Sequence, residues 1–439
     1  MADIWNEVLS KATIVFREFI PRWEDRVRIT WYNAPQAFLH ALPYFFMAYL
    51  VRRPDTQLMR LLLLPTVIGM TLRCTYGYKF DDPRWFWYEW ERGILGLFVI
   101  AKSIDFAFAK EGRLKVAEKA LRQSSRRDGT LRHEGSDRAA ELLGRSPVAR
   151  LLPCSVFDAL EVGLTMRGIG WDFGRYTPIP PRTLPLERRA YIRTLTKILI
   201  LRQLFGDLCD TLFKYIPGVT ATDGSIFLPD LPPIQRYAVS TLIHLGVGLF
   251  ILSSVAIVYD YGALFGVLFL HQSPSFWPPM QGSLLQVRSL HDYWNKAWHQ
   301  SYRHTFLTTG GFLGQRLAGH LGMVFGCFLA SGLMHEFALN VAGRPFDWRV
   351  VIFFLSQALG LVLENLFRKL TGKRVGGPLG LLWAVLFVLG IGQICTEAWF
   401  NRGMGGAIAI PPSISPVRRV LLPLVRRVIR SLSRIVSSG

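Results

Sequence analysis

The sequence predicts an all-α fold: a polytopic bundle of about eight membrane helices with re-entrant or interfacial segments. Three observations lead there. Half of the 439 residues are apolar and only 19% are Asp, Glu, Lys or Arg, against about a quarter in ordinary soluble domains. Apolar runs recur at lengths near the ~20 residues that a bilayer crossing needs. The polar stretches between them are basic, since 51 Lys and Arg against 31 Asp and Glu leave a net charge of +20. This composition excludes a disordered chain, which needs low hydrophobicity. Five scattered Cys without a CxxC pair exclude a disulfide scaffold. The charge reads as positive-inside bias and attraction to anionic lipid and phosphate-bearing substrates, rather than as nucleic-acid binding.

The elements follow in order. Residues 1–36 mix polar and aromatic side chains without a cleavable signal pattern, and are expected to be cytosolic or interfacial. Residues 37–109 hold the runs Ala37–Leu50, which is short for a span, Leu58–Tyr76 and Gly93–Ala109. Residues 110–150 are rich in Arg, Lys, Ser, Gly and Glu and are expected to form a largely disordered cytosolic loop. Residues 151–400 form the expected functional membrane core. Its runs are Leu195–Ile216, Ala238–Leu270, Leu317–Leu339, Val350–Phe367 and Pro378–Trp399. Ala238–Leu270 is long enough for one tilted helix plus a re-entrant piece, or for two short helices, with Asp260 marking the break. Pro-rich patches at Tyr176–Pro185, Leu228–Pro233 and His271–Pro279 read as loops or re-entrant segments. Residues 401–439 carry no acid, and six Arg alternate with apolar residues at helical spacing from Pro416 to Ile435. An amphipathic helix on an anionic membrane surface is expected there, interrupted at Pro423.

The densest polar and aromatic cluster runs from Ser289 to His304. On a continuous helix Trp294 and Trp298 share a face, with His291 and Tyr302 close to it, and His299 and Arg303 share the next. Taken alone, such a segment also suits an interfacial helix with belt tryptophans. A second feature shifts the balance. His335 lies inside an apolar run and is followed at once by Glu336. Titratable groups at membrane depth are expensive and usually face a cavity or mark function. Ser331 stands one turn before His335, within hydrogen-bond reach of it.

The pattern Ser-Leu-x-x-x-Trp-x-x-x-Trp-His from Ser289 to His299, with His335 about 35 residues later in an apolar helix, resembles the wax synthase-like branch of the membrane-bound O-acyltransferases. Arg167-Gly168-Ile169-Gly170-Trp171 is similar to a stretch of fungal members that acetylate secondary metabolites. His291 stands where the family usually carries a basic residue. The resemblance implies His335 and His299 as catalytic residues. It implies acyl-CoA, and by preference acetyl-CoA, as co-substrate, with a terpenoid or other lipophilic alcohol as acceptor. It also points to residence in the endoplasmic reticulum membrane.

The residues agree with that chemistry. Moving an acyl group from a thioester to an alcohol needs a base near the hydroxyl and donors for the tetrahedral oxyanion. His335, kept neutral by its apolar helix, suits the base, and His299 suits thioester orientation or the oxyanion. Trp294, Trp298, His291, Arg303, Ser331 and Glu336 are expected to line the substrate and CoA channel. Arg288, Lys296 and Arg303 are candidates for the CoA phosphates. No metal is expected, and no Ser or Cys has the setting of an activated nucleophile. The oligomeric state is left open.

Other readings compete. A long-chain donor and a fatty alcohol would make a wax synthase. Asp207 and Asp210 form a DxxD that can hold Mg²⁺ and a diphosphate, as in membrane prenyltransferases or terpene cyclases. The plainer reading has them facing the bundle interior or pairing with Arg202. His335 can also belong to the proton relay of a transporter. His133 to Asp137 matches an HxxxD motif but sits in the charged loop, and is read as coincidence.

Overall fold

The computed structural model describes residues 2–120, 153–175 and 177–437. All eight apolar runs fall in helices. The only regular strands among the described residues are a two-residue parallel pair, Val27–Arg28 with Tyr78–Lys79. The helices are α1 (Ala2–Phe19), α2 (Ala41–Val51), α3 (Gln57–Gly77), α4 (Phe86–Phe108), α5 (Cys154–Leu164), α6 (Arg188–Phe213), α7 (Pro233–Leu268) and the short α8 (290–297). Then come α9 (Arg303–Val341), α10 (Trp348–Thr371), α11 (Gly377–Phe400) and α12 (Leu422–Ser437).

Among the described residues five helices are long and apolar enough to cross a membrane: α3, α7, α9, α10 and α11. This is fewer than the eight expected. The run at Ala37–Leu50 yields only the 11-residue α2. The runs in α4 and α6 sit in helices that also carry many charges, including Glu89, Arg92, Lys102 and Asp105 in α4. Those charges are buried and used. Arg92, near the start of α4, donates to the carbonyls of Cys74 at 3.0 Å and Thr75 at 2.7 Å, at the end of α3. Arg60, near the start of α3, donates to the Ala109 carbonyl at 2.9 Å, just past the end of α4. Each helix of this antiparallel pair thus supplies a cation to the orphan carbonyls and negative dipole end of the other.

α7 runs unbroken for 36 residues, so the break expected at Asp260 does not occur. Asp260 is buried and paired with Arg202 of α6, which satisfies the carboxylate without unwinding its helix. At 1.5 Å per residue α7 is about 54 Å long, well beyond a ~30 Å hydrocarbon core.

α9 is a hairpin. Ala318 and Gly319 leave helical geometry (φ 59°, ψ −145° at Gly319), a conformation that only glycine adopts readily. The two arms meet through Gly314 and Gly322, where added Cβ atoms would overlap the facing backbone. The first arm, residues 303–317, is about 22 Å long by helical rise and too short to cross. The sequence places re-entrant pieces in Ala238–Leu270 or at the Pro-rich patches, and this fold-back lies at none of them.

Pro423 does not interrupt the C-terminal helix. A five-residue π turn, Val417–Leu421, runs directly into α12, so the helix passes Pro423 with a widened turn just before it. Of the basic loop expected at 110–150, residues 110–120 pack on the body: Arg52 holds Glu118 at 2.8 Å and Lys115 holds Glu161 at 2.8 Å. The rest of that loop, with His133 and Asp137, lies outside the described residues.

The largest core cluster gathers Phe86, Ile243, Leu339, Phe354, Trp399 and Phe400 from α4, α7, α9, α10 and α11. These helices surround the chamber described next.

Candidate active site

The segment around Ser289 is built by capping. The Ser289 hydroxyl accepts from the Asp292 N–H at 3.0 Å. Glu364 of α10 accepts from the N–H groups of Leu290 at 2.7 Å and His291 at 3.1 Å. Three orphan donors of α8 are thereby satisfied. Glu364 lies on the chamber wall, with its carboxylate spent on this cap.

α8 widens into a π turn over Tyr293–Ala297 and stops at Trp298, whose backbone is extended. The continuous helix expected from Ser289 to His304 therefore does not form. Gln300 explains the break: its side-chain amide donates to the carbonyls of Trp294 at 2.7 Å and Trp298 at 2.9 Å. Arg303 braces the same turn through Asn295 at 3.0 Å and Gln300 at 3.2 Å, so its guanidinium is largely committed to the protein. The tryptophans still meet, with ring centroids 5.8 Å apart in an edge arrangement. The Trp294 indole N–H is held by Gln357 at 3.2 Å.

His335 sits on the second arm of α9. Its Nδ1 lies 2.7 Å from the Ser331 carbonyl oxygen. A carbonyl only accepts, so Nδ1 carries the proton and Nε2 is bare. The partner is thus the backbone of Ser331 and not its hydroxyl. The ring is held among Phe354 at 4.7 Å, Trp90 at 6.0 Å and Trp399 at 6.4 Å. His299 follows Trp298 in the loop. Burial pushes its imidazole down to about 3, and the nearby His335 adds to the shift. Its Nδ1 is buried with no hydrogen-bond partner.

A chamber of about 3100 Å³ joins these groups, several times the ~300–1,000 Å³ of ordinary ligand pockets. His335, His299, His291, Trp294, Trp298, Arg303 and Ser331 all line it. Glu336 does not. It is fully buried on the other side of α9, bound by Arg402 at 2.5 and 3.1 Å and by the Asp347 N–H at 2.8 Å. A residue next to His335 in sequence points about 100° away on a helix, which removes it from the channel wall.

One part of the wall is basic. Burial lowers the His291 imidazole, and the cations Lys296, Arg303 and Arg374 act in the same direction. Arg288 and Arg368 also reach this wall. Arg288 turns onto its own loop, at 2.6 Å from the Val287 carbonyl, and Lys296 pairs with Asp292 at 2.7 Å. Arg374 was not singled out from sequence; its place in a basic loop between two apolar runs is the signal that marks it. Arg167 of the Arg-Gly-x-Gly-Trp stretch is buried. It donates to the carbonyls of Pro278 and Pro279 at 2.8 Å each and to the Tyr259 hydroxyl at 2.8 Å. It pins the Pro-rich loop that forms part of the wall.

Asp207 and Asp210 are not on this chamber. Asp207 accepts from Ser415 at 2.6 Å and the Val417 N–H at 2.8 Å. Asp210 pairs with Arg418 at 2.6 Å and Lys214 at 3.6 Å. The expected partner Arg202 goes to Asp260 instead. Both carboxylates anchor the start of the C-terminal helix, and the chain's own donors already fill them. Among the described residues no three His, Cys, Asp or Glu side chains gather as metal ligands.

A helical membrane fold with two histidines on a large aromatic chamber defines a class. Residues 277–356, which hold both histidines, match the model of the membrane bound O-acyl transferase family, and the resemblance carried by Ser289–Glu336 is to that family. Among curated fungal proteins the chain is similar to the acetyltransferase aurG of Calcarisporium arbuscula, 30% identical over 34% of this chain and 37% of that protein. It is also similar to the acetyltransferase spyB of Aspergillus fumigatus, 28% identical over 26% of this chain and 21% of the other. The O-Mevalon transferase yanI of Aspergillus niger is 27% identical over 50% and 53% respectively. The matches span about half or less of these relatives' lengths. No solved structure matches the chain.

Proposed function

We propose that the protein transfers an acyl group, by preference acetyl, from acyl-CoA to a hydroxyl of a lipophilic acceptor of the terpenoid or secondary-metabolite type. The transfer takes place within an endoplasmic reticulum membrane. The observation that carries this reading is the bare Nε2 of His335 on a chamber large enough for both reactants. Nε2 takes the acceptor's hydroxyl proton as the oxygen attacks the thioester carbonyl carbon. The tetrahedral intermediate expels CoA thiolate as the C–S bond breaks, and the proton held on His335 passes to the sulfur. The products are ester and free CoA.

His299 supplies the oxyanion donor. A buried lone pair without a partner is tolerated better than a buried N–H without one, so Nδ1 is bare and Nε2 carries the proton toward the chamber. Arg374 and Arg368, both on the basic part of the wall, suit the phosphates of CoA. The acetyltransferase names of aurG and spyB support the acetyl donor.

The test is product analysis. Microsomes carrying the protein, labelled acetyl-CoA and a panel of terpenoid alcohols should yield labelled ester, identified by mass spectrometry. Ester formed only from long-chain acyl-CoA and fatty alcohols would make it a wax synthase. Product formed only with Mg²⁺ and a prenyl diphosphate would overturn acyl transfer.

A further inference from the structure

We propose that Glu91 is the anchor for the acceptor: its carboxylate receives a second hydroxyl of a polyhydroxylated acceptor and so sets which hydroxyl reaches His335. This rests on the acyl-transfer reading above.

Trp87, Tyr88, Glu91, Ile94 and Leu95 all line the chamber, and their spacing puts them on one face of α4. Glu91 is the one charged group on that face. Its neighbour Glu89 points the other way, buried and paired with Arg92 at 2.6 Å. Glu91 is exposed to the chamber, and among the described residues no donor or cation meets it. On a wall of Trp and Ile side chains its carboxylate is thus left open to a donor that a bound molecule brings.

Its position fits an acceptor subsite. α4 crosses α9 closely at Gly93, where an added Cβ would come within 2.8 Å of the Ala338 Cα, one turn past His335. Trp90, next to Glu91, lies 6.0 Å from the His335 ring. Burial and the Glu91 charge together push the Tyr302 hydroxyl up to about 12, and the Tyr302 ring is 6.2 Å from His299. Glu91 therefore lines the same chamber as both histidines, on the helix that packs against the His335 arm. A hydroxyl bound there is a charge-assisted hydrogen bond in an otherwise apolar place. Sites built to bond a substrate hydroxyl discriminate strongly against analogues that lack it.

The probes are lupeol, with one hydroxyl, and betulin, which carries a second on the same skeleton, each with labelled acetyl-CoA. In the unsubstituted protein betulin should have a kcat/KM roughly tenfold above lupeol. In Glu91→Leu the ratio should fall to near one, mainly through the KM for betulin, with the KM for acetyl-CoA unmoved. Glu91→Gln should fall between. A preserved betulin preference in Glu91→Leu, or equal losses for both alcohols, would overturn the proposal. A second readout needs no turnover. Dicyclohexylcarbodiimide should modify Glu91 in membranes, seen by peptide mass spectrometry, and betulin should slow that modification at least threefold more than lupeol does. Equal protection, or none, also overturns it. If the wild type esterifies neither alcohol, that counts against the transfer reading alone, and the labelling ratio still decides Glu91.

Discussion

The Nδ1–H of His335 donates to the carbonyl oxygen of Ser331 at 2.7 Å, one turn back along the same helix. That single bond sets the tautomer, aims the ring, and leaves Nε2 as the bare nitrogen of an imidazole that lines the chamber. Because the acceptor is a backbone atom, the arrangement survives changes to the serine side chain.

His335→Ala should lower ester formation by about 10²–10⁴-fold, the range for a positioned general base, with the protein still present in membranes at wild-type level. Ser331→Ala should stay within roughly tenfold of wild type, because the carbonyl rather than the hydroxyl fixes the base. Comparing both variants in one microsomal assay decides the point. A Ser331→Ala variant as inactive as His335→Ala would show that the hydroxyl matters.

His299 gives a pH prediction. Its imidazole titrates near 3 in the folded protein, below the ordinary ~6.5. Between those values the unfolded chain binds a proton that the folded one refuses, so stability rises with pH through this window. The contribution is complete above about pH 6.5 and is lost as pH falls toward 3. In detergent, the Tm of His299→Asn should fall less steeply than wild type between pH 6.5 and 4. Parallel curves would contradict the assignment. The same variant should lose about 10²–10³-fold in rate if His299 serves the oxyanion.

Glu336 and Arg402 are 0% and 6% exposed and bind each other twice. Removing one partner strands a buried charge, at a cost of about 3–5 kcal/mol. Glu336→Ala should therefore show a marked drop in Tm or in recoverable protein, and any activity loss should track the amount folded. A stable, fully inserted Glu336→Ala that lacks turnover would return this residue to the chemistry.

Gly319→Ala tests the hairpin. Nothing lies within 4 Å of the added methyl, so its cost is conformational only, about 1–3 kcal/mol for a side chain held at this φ and ψ. Thermal unfolding in detergent should show the drop, and the control Gly248→Ala, which sits in regular helix with open space around its Cβ, should show none.

The helices and the two histidines were legible in the sequence because they rest on local signals. Apolar run length marks α3, α7, α10 and α11, and a His-Glu pair stands out in an apolar run. What escaped depends on distant partners. Glu336 looked like a channel residue until Arg402, 66 positions on, was found to bind it. Glu364 caps an N–H that lies 74 residues earlier. The break at Trp298 follows from where Gln300 donates, and periodicity cannot report that. The fold-back at Gly319 falls just inside the apolar run Leu317–Leu339, and a glycine within such a run carries no turn signal of its own. Glu91 was invisible because a lone acid in an aromatic stretch carries no motif.

The chamber's size bears on regiochemistry. A room of about 3100 Å³ is several times the volume of an ordinary ligand pocket, so total size alone does not select a guest. If the chamber holds acyl transfer as proposed, which oxygen is esterified is decided by a few fixed polar points on slick walls. Exchanging those points, rather than resizing the void, is the route by which such a scaffold would be turned to a different natural product.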